Sequence, residues 1–132
     1  MHINHIAIWV KDIDVSADFY ANFFGANIGP IYHNPKTNFN SRFITFDSGN
    51  LNGYGTRIEI MTRRDITENS AYNAFGYTHI ALSVGSTGEV DRLTKFLSEN
   101  GVTVLSQPRT TGDDYYESKI SDPDGNEIEI TV

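Results

Sequence analysis

INHIAIWV, from Ile3 to Val10, and YTHIALSV, from Tyr77 to Val84, are two versions of one pattern, and they decide how the chain is organised. Each contains His-Ile-Ala, with a valine five residues after the histidine. Each also alternates, with aliphatic side chains on one face and His and Ala on the other, as a half-buried strand does. The pattern therefore predicts that each half of the chain begins with an equivalent strand.

The ends of the two halves match as well. RIEI, Arg57 to Ile60, closes the first half, and EIEI, Glu127 to Ile130, closes the second. The two strand histidines are 74 positions apart (79 − 5) and the two central glutamates 70 (129 − 59), so the halves run nearly in register. Four side chains occupy equivalent first-strand and last-strand positions, namely His5, Glu59, His79 and Glu129.

The segments between these strands predict one helix and two further strands in each half. In the first half, a helix capped by Asp12 or Asp14 ends at Gly25, followed by strands at Ile28–Tyr32, Arg42–Asp47 and Thr56–Met61, with a Gly/Asn-rich hairpin loop at Ser48–Gly55. In the second half, a helix at Gly88–Asn100 with Val90, Leu93, Phe96 and Leu97 on its apolar face precedes strands at Val102–Leu105, Tyr115–Ser121 and Glu127–Val132. The predicted fold is α+β, with two tandem β-α-β-β-β modules at residues 1–62 and 77–132 joined by a polar connection at 63–76.

Strand parity places the four equivalent side chains on one side of their sheets. The helices carry apolar stripes, so they pack on the faces formed by isoleucine and valine. His5, Glu59, His79 and Glu129 then point away from the helices. Two imidazoles and two carboxylates brought together would suit a divalent metal ion.

The composition excludes several classes of function. The 132 residues are 39% hydrophobic and 20% charged, as in a globular domain, and no apolar run reaches the ~20 residues of a membrane span. The absence of cysteine excludes disulfides, a thiol nucleophile and thiolate ligands. A net charge of −7 argues against a nucleic-acid partner. With no secretory signal pattern at the N-terminus, we expect a cytoplasmic protein.

Taken together, these features resemble the vicinal oxygen chelate superfamily, which includes glyoxalase I, extradiol dioxygenases, methylmalonyl-CoA epimerase, fosfomycin-resistance enzymes and bleomycin-binding proteins. The resemblance covers nearly the whole chain and rests on HIAI with Phe19-Tyr20, on HIALSV, and on SDPDGNEIEI at Ser121–Ile130. It implies a mixed sheet curled around a metal cavity. The connection at 63–76 is long enough for the cavity to form either within one chain or between two chains. The resemblance implies the second arrangement, a homodimer with two sites, in which His5 and Glu59 come from one chain and His79 and Glu129 from the other.

Members of the superfamily differ in their metal ligands. Bacterial-type glyoxalase I presents His, Glu, His and Glu at the positions of the four residues above, and epimerases often have Gln at the second. Extradiol dioxygenases and fosfomycin-type transferases typically lack a ligand at the position of Glu59, and bleomycin-binding proteins lack the set. The resemblance therefore implies a glyoxalase I-like lyase or isomerase acting on a small α-oxo compound or its hemithioacetal with a low-molecular-weight thiol. Nickel, cobalt, zinc or manganese would be the metal, and Glu129, or else Glu59, the catalytic base.

Two alternatives stay open at this stage, a drug-sequestering resistance module and another metal-dependent member such as an epimerase, thiol transferase or dioxygenase. Candidate substrate-binding residues are the same in each case. Trp9 and Met61 are expected to form apolar walls, and Arg57, on the same strand face as Glu59, is the best anion-binding candidate. Tyr115, after a Gly-containing segment, could close over the cavity.

Overall fold

The computed structural model describes residues 3–46, 56–67 and 75–132, and the chain divides into two compact units, Met1–Ser70 and Ala71–Val132. Each unit packs one helix on one mixed sheet. This confirms the predicted α+β class and the repeated β-α-β-β-β order. The expected loop at Ser48–Gly55, and part of the connection at 63–76, lie outside the described residues. Across the described segments, no helix is both long and apolar enough to cross a membrane.

The first unit contains β1 (His5–Trp9), α1 (Ile13–Phe24), β2 (Asn27–Ile28), β3 (Tyr32–Asn34), β4 (Phe39–Thr45) and β5 (Arg57–Thr62). Its strands lie in the order β1-β5-β4-β2, and β3 also pairs with β4. Strand β1 runs parallel to β5, and the other pairings are antiparallel.

Two predicted strands of this unit were wrong in detail. The strand expected at Arg42–Asp47 is β4, which begins earlier, at Phe39, and ends at Thr45. The segment Ile28–Tyr32 was expected to be continuous, but β2 ends at Ile28 and β3 starts at Tyr32. Gly29 still donates to the Phe43 carbonyl at 2.8 Å, but Pro30 has no N–H to donate to a ladder. The chain therefore pairs with β4 in two short pieces.

The second unit contains β6 (His79–Ser83), α2 (Thr87–Glu99), β7 (Val104–Thr110), β8 (Tyr116–Ser121) and β9 (Glu127–Thr131), in the sheet order β6-β9-β8-β7. Strand β6 is parallel to β9. The prediction of a strand at Val102–Leu105 was wrong, because β7 begins two residues later and continues through Pro108. An edge strand tolerates proline, since one side of its backbone needs no partner.

Specific side chains set the ends of the helices. Asp12, not Asp14, caps α1, because its carboxylate accepts from the backbone N–H groups of Asp14 and Val15 at 2.9 and 3.1 Å. Gly25 ends this helix in the left-handed conformation, with φ of 65°. Ser86 caps α2 by accepting from the N–H of Glu89.

Isoleucines on the central strands form the two cores. In the first unit Ile44, Ile58 and Ile60 are buried with Tyr20 of α1. In the second unit the buried strand residues are Ile120, Ile128 and Ile130, and α2 contributes Val90, Leu93 and Leu97. Both helices therefore pack on the aliphatic strand faces, as strand parity predicted.

The apolar face of α2 differs from the prediction at one position. Phe96 was expected to face the sheet, but it is 41% exposed and Thr94 is buried instead. The Thr94 hydroxyl donates to the Val90 carbonyl and lies 2.6 Å from the Ser118 hydroxyl of β8. Thr94 is i+4 from Val90 on the inward stripe, and its hydroxyl has partners there, so a polar residue is accommodated.

Candidate metal centre

Parallel pairing of the first and last strands of each unit brings a histidine next to a glutamate. Ala7 is the register partner of Glu59, and Ala81 is the register partner of Glu129. The histidines lie two residues before these alanines and so share their face. The aliphatic neighbours of both glutamates are buried against the helices, which directs the four polar side chains to the other side of each sheet.

The two pairs have similar geometry. His5 Nε2 lies 3.7 Å from Glu59 Oε2, and His79 Nε2 lies 3.4 Å from Glu129 Oε2. The histidine side chains are 38% and 33% exposed and the glutamates only 17% and 14%, so the carboxylates lie at the sheet and the imidazoles at its rim. In residues 3–46, 56–67 and 75–132, no three His, Asp or Glu side chains lie close enough together to hold a metal ion. The structure thus brings together two pairs, one in each unit.

The far side of each imidazole is also held. His5 Nδ1 lies 2.9 Å from Asn4 Oδ1, and His79 Nδ1 lies 3.0 Å from Thr78 Oγ1. Such contacts to the second ring nitrogen orient histidines that bind metals. In both units the nitrogen left facing the carboxylate is Nε2, a common metal donor.

The surroundings of the first pair are aromatic and cationic. The Arg57 guanidinium lies over the Phe43 ring, 4.2 Å from its centroid, and its Nη2 donates to Asn4 Oδ1. Phe43 in turn makes an edge contact with His5, with centroids 5.3 Å apart. Arg57, a candidate anion-binding residue, is therefore engaged with side chains of its own unit.

The second pair has an acidic neighbour that was not predicted from the sequence. Glu117 of β8 is 7% exposed, and its Oε1 lies 3.3 Å from Arg109 Nη2. Its carboxyl group is close enough to Glu129 to affect the pKa of that residue. Burial raises the pKa of Glu129 above its ordinary value, and Glu117 raises it further, whereas His79 and Lys119 act in the opposite direction. The alternation of β8, with Ser118 and Ile120 buried in the helix-packed layer, was the signal that would have found Glu117.

The remaining candidate residues lie in different places. Trp9 and Met61 are register partners on the same face as the first pair, and Trp9 is 37% exposed. Trp9 packs edge-on against Phe39 and beneath Arg63, whose guanidinium carbon is 5.1 Å from the indole centroid. In the second unit, Tyr115 is 59% exposed just before β8.

Comparison with known proteins gives one family and several relatives. The sequence pattern of the Glyoxalase/Bleomycin resistance protein/Dioxygenase superfamily matches residues 2–130. The chain is 29% identical over 132 residues to a metallothiol transferase FosB of Lysinibacillus sphaericus (strain C3-41), a match that covers 97% of this chain and 79% of that protein.

Solved structures resemble the chain along almost its whole length. The trypanothione-dependent glyoxalase I of Leishmania major is similar with a TM-score of 0.79 and 22% identity, covering 99% of this chain and 86% of that one. A glyoxalase family protein from Enterococcus faecalis is similar with a TM-score of 0.78 and 22% identity, covering 99% and 97%. At these identities the similarity establishes the fold.

Proposed function

The chain belongs to the glyoxalase/bleomycin resistance protein/dioxygenase superfamily, and on that premise we propose that it is a metal-dependent, glyoxalase I-like lyase or isomerase. Its proposed substrate is a small α-oxo compound or the hemithioacetal that such a compound forms with a low-molecular-weight thiol. One observation carries the proposal, the repetition of the His–Glu pair in both units, with Glu59 supplying a carboxylate 3.7 Å from His5. A metal site with only three protein ligands, His5, His79 and Glu129, would not use the Glu59 carboxylate.

The donor chemistry of each pair fits a divalent cation. At 3.4–3.7 Å the imidazole and carboxylate are too far apart for a good hydrogen bond. A neutral imidazole whose Nδ1 carries the proton presents a lone pair at Nε2, so two acceptors face each other and a cation would stabilise both. We propose that His5, Glu59, His79 and Glu129 together hold one nickel, cobalt, zinc or manganese ion, supplied by two chains of a homodimer. When bound, the ion supplies Lewis-acid stabilisation of the oxyanion formed next to a carbonyl.

Glu129 is the proposed base. Its carboxylate would take the proton from the carbon next to the carbonyl and return it to the carbonyl carbon, while the hydroxyl proton of the hemithioacetal passes to the former carbonyl oxygen. The result is a net isomerisation that needs no external oxidant or reductant. The support is local, because the side chain is only 14% exposed, and burial together with the neighbouring Glu117 raises its pKa. Glu59 is the second candidate for this role.

A second function has a specific observation in its favour. The relative at 29% identity is named a metallothiol transferase. The resemblance to fosfomycin-type transferases implies that such an activity would need only His5, His79 and Glu129 as ligands. Glu59 therefore discriminates between the two proposals.

Nickel titration of the metal-free protein by calorimetry, with Glu59→Ala compared with Glu127→Ala, tests this choice. Alanine removes the ligand altogether, whereas a glutamine oxygen could still bind the metal. Glu127 is a fair control, because it points to the same side of its own sheet as Glu129 and is engaged by Lys119 at 3.9 Å. We expect Glu59→Ala to weaken nickel binding by about tenfold or more and to abolish methylglyoxal consumption in the presence of thiols, and Glu127→Ala to change neither much. Unchanged nickel affinity and turnover in Glu59→Ala would refute the four-ligand site and favour the transferase.

Assembly is tested separately by sedimentation. A metal-replete, active monomer would contradict the proposed dimer while leaving the assignment of the four ligands intact.

A further inference from the structure

The histidine of the first unit has an environment that the histidine of the second unit lacks. The register partner of His5 is Arg57, whereas that of His79 is Glu127. The residue before the histidine is Asn4 in the first unit and Thr78 in the second. The two imidazoles are therefore equivalent in position but not in partners.

Hydrogen-bond chemistry determines which atom of Asn4 faces His5. The Arg57 guanidinium has only donors, so the Asn4 atom that accepts from its Nη2 must be the amide oxygen. The same Oδ1 atom lies 2.9 Å from His5 Nδ1. Because an amide oxygen only accepts, Nδ1 must carry a proton to complete the contact.

We propose that Asn4 and Arg57 are positioning residues that hold neutral His5 in the tautomer with the proton on Nδ1 and the lone pair on Nε2. Nε2 is the atom that faces Glu59, at 3.7 Å. Arg57 acts through Asn4, and the stacking of its guanidinium on Phe43, 4.2 Å from the ring centroid, keeps it in place. Phe43 in turn makes an edge contact with His5, so each of the four residues contacts the next and the last contacts the first. This inference rests on the proposed function in one respect, that the lone pair on Nε2 would bind the proposed metal ion.

The second unit provides the contrast. His79 Nδ1 lies 3.0 Å from the Thr78 hydroxyl, which can donate or accept. That partner is compatible with either tautomer. The chain therefore contains its own comparison, with one histidine whose tautomer is specified and one whose tautomer is not.

The test is nitrogen-15 NMR of the metal-free protein with labelled histidine, at about pH 8.5, well above the ordinary imidazole pKa of about 6.5. We expect His5 to show a protonated-type Nδ1 and an unprotonated-type Nε2. Asn4→Ala should shift His5 towards the mixture of tautomers that free imidazole shows, while the His79 resonances stay where they were. Asn4→Asp should retain the wild-type pattern, because a carboxylate also accepts from both His5 and Arg57. Asn4 is exposed, so neither substitution should compromise folding.

Nickel binding by the same variants gives a second measurement. Loss of a partner that orients a metal-binding histidine typically costs 10–100-fold in metal affinity. We therefore expect about that loss in Asn4→Ala and near wild-type affinity in Asn4→Asp. A His5 tautomer that is unchanged in Asn4→Ala, or a wild-type His5 protonated on Nε2, would overturn the inference. If the wild-type protein shows the expected tautomer and Asn4→Ala loses it, but the wild-type protein binds no nickel, the proposed function fails and the positioning role of Asn4 stands.

Discussion

The turn before β9 depends on one carboxylate, and replacing that carboxylate tests how the last strand is held. Asp122 is 5% exposed and its Oδ1 accepts from the backbone N–H groups of Asp124 and Asn126, at 2.9 and 2.8 Å. Its Oδ2 accepts from Asn126 Nδ2 at 2.8 Å. The backbone closes the same turn, because Asp122 N donates to the Asn126 carbonyl and Gly125 N donates to the Asp122 carbonyl.

Asp122→Ala removes three hydrogen bonds at once. A hydrogen bond to a charged group contributes about 1.5–3 kcal/mol, and the three share one acceptor group, so the sum is discounted to about 3 kcal/mol of unfolding free energy. At roughly 4 °C per kcal/mol for a chain of this size, the melting temperature should fall by about 12 °C. Asp122→Asn keeps an oxygen for both backbone donors and loses only the charge and the bond to the Asn126 side chain. We expect it to cost about 1 kcal/mol.

Urea unfolding followed by far-ultraviolet circular dichroism measures both variants, with equal m-values as the check that the same transition is compared. The reasoning fails if Asp122→Ala is within about 1 kcal/mol of wild type. It also fails if the Asn and Ala variants are equally unstable, since the backbone donors would then not depend on the Oδ1 acceptor.

Two further predictions compare pairs of substitutions, one pair at glycines of the two helix ends and the other at two buried hydroxyls. Gly25→Ala should destabilise the protein by about 1–2 kcal/mol because φ is 65° there, whereas Gly88→Ala, with free space around the added methyl group, should stabilise it by about 0.5 kcal/mol in the same urea assay. Equal effects would contradict the assignment of Gly25 as the cap of α1. Thr94→Val should cost about 1–3 kcal/mol because it leaves the buried Ser118 hydroxyl without this partner, and adding Ser118→Ala should recover part of that loss. Strictly additive losses in this double-mutant cycle would show that the two hydroxyls do not interact.

Much of the fold could be predicted because the repeated pattern specifies both strand type and strand face. Ile58 and Ile60 flank Glu59, and Ile128 and Ile130 flank Glu129, so period-two alternation was sufficient to separate the buried layer from the polar one. Element ends were harder to predict. The extent of β7 depends on an edge position for Pro108, which is a tertiary property. Likewise, the hydroxyl partner that lets Thr94 replace Phe96 at the sheet belongs to another strand.

For the candidate site, the sequence placed each histidine on the same strand face as its glutamate, but it did not indicate the side chains around them. Strand alternation alone places His5 and Glu59 on one face. The pairing of Arg57 with His5 depends in addition on the register between β1 and β5, which the sequence does not specify. Glu117 was missed for a related reason. The alternation of β8 indicates which face Glu117 occupies, but its burial beside Glu129 follows only once the pairing of β8 with β9 is known.

The strands that carry the histidines differ from those that carry the glutamates in how firmly the backbone is held. Within the described part of each sheet, β1 and β6 are edge strands paired on one side, while β5 and β9 are flanked on both sides. Edge strands open locally at a lower free energy than interior strands, and their amide hydrogens exchange sooner. An ion bound by both members of a pair would couple the opening of the outer strand to that of the inner one. Metal binding at the candidate centre should therefore slow amide hydrogen exchange in β1 and β6, including at residues several positions away from the histidines.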